Sequence, residues 1–318
     1  MSYTVENQDA IVRSLIRQIF KEKPNHQFNK TQLMKLLYNL KKSLPSDDPI
    51  HEIIPYYWYY HGPMSEPVSH GVEFLYGIGA LKKKRRFVFV DGNINYESLP
   101  VYIIKAVKSL LNGFNSWDNP KKYYDQIYID DAPFEFSRPY RCLFLDKLEK
   151  YGEKMKNGQT TLGTFLDSTQ TGTSRRVIAF KKTLYQCELK IPNIADFDEF
   201  GRLYSSFVGD AALVFDYLQS ETNHLLLERT YDVAKIVCKT FAKGGRIQDT
   251  AHDPPYEKDV PRWRKDFAQN MKELELALDN FNMTVLREVR FDEEIAPYNE
   301  KQRDILSAVV DSYFADGK

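Results

Sequence analysis

The sequence predicts a mainly α-helical protein, with an N-terminal winged-helix-like module of three helices and a β-hairpin, followed by a mostly helical C-terminal domain. Three observations predict this fold class. Apolar residues recur at helical spacing in the N-terminal part, an Asp-Gly turn separates two alternating segments at residues 87–96, and long helical patterns follow Pro192. The chain has 318 residues, of which 42% are hydrophobic, which is enough for two domains with buried cores.

The first predicted helix covers residues 8–20. Its apolar residues fall at helical spacing on one face: Ile11, Leu15, Ile16, Ile19 and Phe20. Arg13 and Arg17 lie on the opposite face, and Pro24 follows the expected end of the helix.

The second predicted helix has a distinct N-terminus. Asn29 can cap the first turn, and Gln32, three residues later, can reach back as in a capping box. Phe28 and Leu33 occupy the two positions of a hydrophobic staple. The apolar stripe then continues through Leu33, Leu36, Leu37 and Leu40.

Five consecutive aromatic residues, Tyr56 to Tyr60, precede the third predicted helix. If this run is extended, Tyr56, Trp58 and Tyr60 share one face. The run suits a core, because tyrosine buries its ring while its hydroxyl stays wet, and it equally suits a protein-binding patch, because Tyr and Trp dominate interface hot spots. Base stacking is a third interpretation, which would need a basic groove around the rings.

The third predicted helix follows a turn at Gly62-Pro63. Ser65 is expected to cap it and Gly79 to end it. Its buried side is predicted to consist of Val68, Val72, Leu75 and Tyr76.

A β-hairpin is predicted where FVFV and NINY flank Asp91-Gly92, since Asp-Gly is a strong two-residue hairpin signal. The predicted pairs are Val90 with Asn93, Phe89 with Ile94 and Phe87 with Tyr96. Three helices followed by a hairpin is the order of elements in a winged helix.

A basic run precedes the predicted wing and could neutralise phosphates of DNA. It comprises Lys82, Lys83, Lys84, Arg85 and Arg86. Major-groove readout, however, uses Arg, Lys, Asn or Gln on the third helix, whereas its exposed side offers the carboxylates of Glu66 and Glu73 beside His70. The alternative interpretation of the basic run is a solvated strand end that protects a sheet edge.

Charge and cysteine content suit a cytoplasmic protein whose net charge gives no overall electrostatic attraction to nucleic acid or membranes. Lys and Arg total 44, as do Asp and Glu, although residues 1–105 carry a net +4 and the remainder −4. Cys142, Cys187 and Cys238 form no CxxC pattern, which argues against a disulfide framework or a zinc site. The N-terminus has no signal-peptide pattern, and we find no apolar stretch of membrane-spanning length.

Two segments, TQLMKLLYNL and YYWYYHGPMSEPVSHGVEFLYGIGAL, resemble the Panacea antitoxin domain, also called SocA-like, and the related YwgA-like proteins. The matching positions are Lys35, Leu36, Leu37 and Tyr38, then Tyr60, His61, Gly62, Pro63 and Ser65. The resemblance covers about residues 1–105 and implies a winged-helix-like module that acts by binding, often neutralising a toxin encoded beside it. Residues 106–318 extend beyond the pattern of the family and are expected to form the second domain.

The remainder of the chain is predicted to be mostly helical, with a loop or boundary at residues 157–176, which are rich in Thr, Ser and Gly. The clearest helical patterns cover residues 196–220, 224–243, 260–281 and 298–314. A loop is expected where GGRIQDTAHDPPYEKDVP, residues 244–261, separates two of them.

No catalytic, cofactor-binding or metal-binding residues are predicted. His224 could share a helix face with Glu221 and Glu228, which suits a metal ligand or a general base, but a charged surface helix is the commoner structure for this pattern.

The sequence therefore predicts a non-enzymatic module that binds a partner protein, such as an adjacently encoded toxin or a defence component. The predicted partner-binding residues are Tyr56, Trp58, Tyr60, His61, Glu66, His70 and Glu73. The alternative is a winged-helix transcriptional regulator that contacts DNA through Lys82 to Arg86.

Overall fold

The computed structural model describes residues 7–83, 87–89, 98–112, 120–156, 173–220, 223–250 and 254–290. The protein is mainly helical, as predicted, and divides into two compact units. The first unit comprises Met1–Pro133 and Gly245–Trp263, and the second comprises Phe134–Gly244 and Arg264–Lys318. The division predicted after residue 105 falls inside a helix of the first unit.

The first unit combines helices with two short antiparallel sheets. Its elements are α1 (Gln8–Glu22), α2 (Lys30–Ser43), α3 (Ile50–Ile53), β1 (Tyr57–Tyr59), β2 (Gly62–Met64), α4 (Glu66–Gly77), β3 (Leu81–Lys83), β4 (Phe87–Phe89), α5 (Val101–Asn112) and α6 (Pro120–Asp131). Helices α1, α2, α4 and α5 contribute to one apolar core, in which Leu15, Leu37 and Ile103 are fully buried.

The first two predicted helices are confirmed. All five apolar residues of the predicted α1 face are buried. At the start of α2, Asn29 Oδ1 accepts a hydrogen bond from the Gln32 amide at 2.7 Å, and Gln32 Oε1 accepts one from the Asn29 amide at 2.8 Å. These reciprocal bonds satisfy two donors that would otherwise be orphaned at the helix end.

The aromatic run forms strand β1, which pairs with β2 in a hairpin. Tyr57 lies opposite Met64, and Tyr59 lies opposite Gly62. The chain therefore reverses at Tyr60-His61, whereas the sequence predicts the turn at Gly62-Pro63. Gly62 begins β2 with φ +90°, a conformation that side chains with a Cβ rarely adopt.

Helix α4 follows directly from this hairpin and matches the third predicted helix, but its start differs from the prediction. Ser65 occupies the N-cap position, yet among the described residues its hydroxyl bonds to no amide of the first turn and is buried. Instead, the Ser65 amide donates to the Met34 sulfur at 3.2 Å. Gly79, with φ +79°, follows the end of the helix as expected.

Strand β4, the first strand of the predicted wing, pairs with the preceding basic segment. Leu81 lies opposite Phe89, and Lys82 lies opposite Val88. Phe87 also exchanges two backbone hydrogen bonds with Phe28, at 2.7 and 3.2 Å. The predicted Asp-Gly turn and the second strand of the wing lie outside the described residues.

The second unit contains long helices, and two of them extend along the chain into residues of the first unit. Its elements are a π-helical segment (Pro139–Leu145), α7 (Asp146–Lys156), α8 (Thr173–Glu188), α9 (Ala195–Ser220), α10 (His224–Thr250), α11 (Val260–Val285) and a second π-helical segment (Leu286–Arg290). A short 3-10 helix, Pro254–Tyr256, lies between α10 and α11. The last turns of α10 and the start of α11 belong to the first unit.

Aromatic rings fill the core of the second unit. Phe136 stacks on Phe241, with ring centroids 4.1 Å apart, and on Tyr140 at 4.9 Å. The Tyr140 hydroxyl donates to the Ala234 carbonyl oxygen at 3.0 Å, so this buried polar group is satisfied. No disulfide joins the three cysteines, all of which lie in described residues, and burial raises the pKa of the Cys187 thiol to about 12.

Two loop predictions are wrong in part. Helix α8 begins at Thr173, inside the predicted loop at 157–176, of which residues 157–172 lie outside the described part. Helix α10 continues to Thr250, through a Gly-Gly pair that was predicted to end it. The predicted helix at 298–314 also lies outside the described residues.

The surroundings of Gly244 explain why a glycine lies inside α10. A Cβ at this position would lie 2.9 Å from the Phe267 ring and 3.0 Å from the Phe197 ring. The glycine therefore allows two aromatic rings to approach the helix backbone, and this packing outweighs its low helix propensity.

None of the helices in the described ranges combines the length and the apolar character needed to cross a bilayer.

We expect Gly244→Ala to lower the free energy of unfolding by about 1 to 3 kcal/mol, because the added methyl group collides with the two rings. Gly201→Ala in α9 is the matched control: no atom lies within 4 Å of the Cβ it would gain, so better helix propensity should stabilise the protein by up to about 1 kcal/mol. Urea denaturation measures both changes. Equal effects of the two substitutions would contradict the close approach.

Candidate functional site

The β1–β2 turn is held by two side chains from distant parts of the first unit. Lys35 Nζ donates to the His61 carbonyl oxygen at 2.6 Å. The Tyr128 hydroxyl donates to the neighbouring Tyr60 carbonyl oxygen at 2.7 Å. Two consecutive carbonyls of the turn are therefore satisfied by side chains of α2 and α6.

Lys35 is almost completely buried, with 1% of its surface exposed. Its ammonium lies 5.6 Å from the centroid of the Tyr128 ring, which adds a cation–π interaction to its hydrogen bond. A Cβ on Gly62 would lie 2.5 Å from Lys35 Nζ, so a larger residue at 62 would displace the ammonium. Four of the nine positions that carry the family resemblance thus meet in one place: Lys35, Tyr60, His61 and Gly62.

A second cluster covers another part of the aromatic strand. The Arg246 guanidinium lies 4.1 Å from the Trp263 ring centroid, 4.9 Å from that of Tyr59 and 5.7 Å from that of Tyr57. The Tyr57 hydroxyl donates to Glu66 Oε1 at 2.8 Å. Burial, and then the Glu66 carboxylate, raise the pKa of Tyr57 above its ordinary value, so the hydroxyl stays protonated as a donor.

Trp58 is also an interior residue, with 6% of its surface exposed. Its backbone amide donates to Asp249 Oδ2 at 2.8 Å, and its ring packs edge-on against Tyr128 at 5.0 Å. Tyr57, at 3% exposure, is buried as well. The centre of the aromatic run is therefore core, as the first of the predicted alternatives expects.

The other predicted partner-binding residues are more accessible. Tyr56, Tyr60 and Glu66 are half-buried, and His61 is exposed at the tip of the turn. The Tyr56 hydroxyl donates to the Met34 carbonyl oxygen at 2.8 Å. His70 and Glu73 are both exposed on α4, apart from the buried aromatic cluster.

The exposed surface of α4 carries large apolar side chains that the sequence analysis did not single out. Phe74 is 45% exposed, Ile78 47% and Tyr76 51%. Tyr76 was predicted on the buried side with Val72, but its ring lies edge-on to Phe87 at 6.0 Å and stays largely open to solvent. We call the exposed side chains of His70, Glu73, Phe74, Tyr76 and Ile78 the α4 surface.

Charged neighbours surround the α4 surface. The Arg13 guanidinium lies 4.5 Å from the Phe74 ring centroid. Lys30 Nζ bonds to Glu73 Oε1 at 2.7 Å, and this ammonium lowers the pKa of the Glu73 carboxyl. The Arg13 charge thus lies against an apolar ring, as polar groups do at the rim of many protein interfaces.

The basic run is only partly within the described residues. Lys82 is exposed on β3, and the backbone of Lys83 ends that strand. Lys84, Arg85 and Arg86 lie outside the described residues.

The second unit has a separate cleft between α7 and α10, with a volume of about 320 Å³. His224 and Glu228 both line it, whereas Glu221 lies outside the described residues. Within the described ranges, no group of three or more His, Cys, Asp or Glu side chains is placed to hold a metal ion.

Sequence reasoning missed the distant residues that bury the aromatic run: Tyr128, Arg246, Asp249 and Trp263. The available signal in α6 was apolar composition, since the adjacent Ile127 and Tyr128 are both buried. The roles of Arg246 and Asp249 left no local signal, because the residues of β1 that they contact lie almost two hundred residues earlier in the chain.

We expect Lys35→Met to lower the free energy of unfolding by about 2 kcal/mol, because it removes, from a side chain that is 1% exposed, the ammonium that donates to the His61 carbonyl oxygen. Lys30→Met, which removes an exposed ion pair from the same helix, should cost less than about 1 kcal/mol. Chemical denaturation of the two variants compares them directly. A loss of similar size in both would show that the buried ammonium has no special role.

Comparison of the chain with family models, with curated proteins and with solved structures gives no match in any of the three.

Proposed function

We propose that this protein acts by binding another protein through the α4 surface, as an antitoxin-like regulator of the kind that the resemblance to Panacea domains implies. The partner would be a polypeptide with an apolar patch, such as the product of an adjacent gene. The proposal needs no catalytic residues, and it places the activity in the cytoplasm, where the three thiols would remain reduced.

The exposed apolar side chains of α4 carry this proposal. Ile78 is the C-cap residue of α4, and its amide donates to the Phe74 carbonyl oxygen at 3.0 Å, so it follows Phe74 by one turn on the same side of the helix end. Each leaves nearly half of its surface in water, which is costly for groups of this size. Clustered exposed apolar side chains with a polar rim are typical of protein-binding sites.

The β1–β2 hairpin supports the same proposal, because it holds the start of α4 in place. The turn between β1 and β2 is held by Lys35 and Tyr128, Arg246 packs on Tyr59 of β1, and β2 leads directly into α4. A surface on a rigid support loses little conformational entropy on binding, which favours affinity. The motif residues would then serve to position α4 rather than to touch the partner.

The chemistry of α4 suits a polypeptide better than a DNA groove. Glu66 is engaged by the Tyr57 hydroxyl and Glu73 by the Lys30 ammonium, so carboxylates stand where a recognition helix would present Arg, Lys, Asn or Gln. We further propose that α1, α2 and α4 correspond to the three helices of a winged helix, with β3 and β4 at the base of its wing.

The partner proposal is tested with the full chain and the product of the gene beside its own. We expect the wild type to bind that product and to relieve its toxicity on co-expression. Phe74→Glu combined with Ile78→Glu should weaken binding at least tenfold, because it places two carboxylates in the apolar contact. Calorimetric titration and growth on co-expression give the two readouts.

Val101→Glu is the matched control, since Val101 is 67% exposed on α5 of the same unit. It should leave both readouts and the thermal midpoint unchanged. If the control lost binding as strongly as the double variant, the α4 surface would not be the contact. If the wild type did not bind the neighbouring product at all, the antitoxin-like function would fall.

The DNA-binding alternative makes an opposite prediction. A regulator that uses Lys82 to Arg86 should bind duplex DNA with an affinity that falls steeply with salt, and should lose it when all five residues are replaced by Ser. Under our proposal, wild type and this variant should be retained equally on heparin at physiological salt. A retention that depends on the five residues would instead favour DNA binding.

A further inference from the structure

The cleft of the second unit is built from two facing helix surfaces. Helix α7 contributes Leu148, Glu149, Gly152 and Glu153, and α10 contributes one side of its first three turns, from His224 to Lys235. Its volume of about 320 Å³ lies at the small end of the range for ligand sites. It lies wholly in the second unit and shares no residue with the α4 surface.

The floor of the cleft is lined by two leucines and a glycine. Leu148 is completely buried beneath the cleft, and Leu227, which is 3% exposed, presents a small part of its side chain to it. Gly152 lies opposite Leu227, and a Cβ at that glycine would still be 4.0 Å from the Leu227 Cδ2 atom. The lack of a side chain at Gly152 therefore leaves room above an aliphatic floor.

The rim of the cleft is predominantly anionic. Among the described residues, four carboxylates line it, those of Glu149, Glu153, Glu228 and Asp232, together with the ammonium of Lys235 and the imidazole of His224. An excess of carboxylates around a concave surface creates a negative potential that attracts cations. An apolar floor beneath a negative rim suits a ligand that has both a methylene chain and a positive end.

The cleft also contains one cation of the chain itself. Lys235 Nζ lies 2.7 Å from Asp232 Oδ1 and 4.6 Å from the centroid of the Tyr231 ring. The Tyr231 hydroxyl in turn donates to Glu149 Oε1 at 2.8 Å, which fixes the ring. One end of the cleft is therefore already arranged around an ammonium on an alkyl chain, and the Gly152 end offers space for a second.

We propose that this cleft binds a linear alkyl cation, that is, a methylene chain ending in an ammonium or guanidinium group. The chain would lie over Leu148 and Leu227 beside Gly152, and its charge would meet Glu153 and Glu228. A free polyamine and a lysine or arginine side chain of another protein share this chemistry. The site is independent of the proposed function, because it uses none of the α4 residues.

The test uses the full chain and two probes at low ionic strength, spermidine and the capped peptide acetyl-Gly-Arg-Gly-Arg-Gly-amide. Calorimetric titration should detect binding of at least one probe. The uncharged diol 1,8-octanediol should not bind detectably, because it lacks the positive ends. The probe that binds more tightly identifies the source of the cation, and either result supports the site.

Two independent variants examine the two parts of the cleft. Glu153→Gln combined with Glu228→Gln removes two charges and should weaken binding at least tenfold. Gly152→Leu fills the floor without changing the charge and should weaken binding to a similar extent. Because leucine has a higher helix propensity than glycine, this second variant should fold at least as stably as the wild type.

The control is Glu199→Gln combined with Glu275→Gln, two exposed carboxylates of the second unit that do not line the cleft. It removes the same charge and should change affinity less than twofold. Equal weakening by this control would overturn the proposal, because binding would then reflect the overall field. Absence of binding by both probes, or unchanged binding by Gly152→Leu, would also overturn it.

Discussion

A buried ammonium organises the first unit. Lys35 is 1% exposed, and a charge in such a place is tolerated only when polar groups surround it. The His61 carbonyl and the Tyr128 ring provide part of that environment. Since the turn must stay near the ammonium, the β1–β2 hairpin is fixed against α2, and the start of α4 is fixed by the hairpin.

The centre of the aromatic run lies in the interior of the first unit, although its composition suggests a surface. A stretch of Tyr and Trp has the composition of a binding surface, yet Tyr57 and Trp58 are buried by Arg246, Asp249 and Trp263. The aromatic residues are therefore a support, and the surface they support is the next element along the chain. In our proposal, the partner therefore binds the α4 surface and not the aromatic run.

Local signals predicted local structure well. The capping box at Asn29 and the apolar face of α1 needed only neighbours within a few residues, and both are confirmed. Predictions failed where a distant partner decided the outcome, as at Gly244, where aromatic packing keeps glycine inside a helix. For the candidate site, the exposure of Phe74 and Ile78 depends on which elements pack against α4. The periodicity of the sequence carries no information about those elements.

The discontinuity of the first unit has a consequence for its synthesis. Arg246, Asp249 and Trp263 reach the hairpin from a segment that follows more than a hundred residues of the second unit. A nascent chain released only as far as α6 would still have the aromatic strand uncovered, since its covering residues would be within the ribosome or not yet translated. The order of translation therefore makes completion of the N-terminal unit a late event, which follows emergence of most of the C-terminal one.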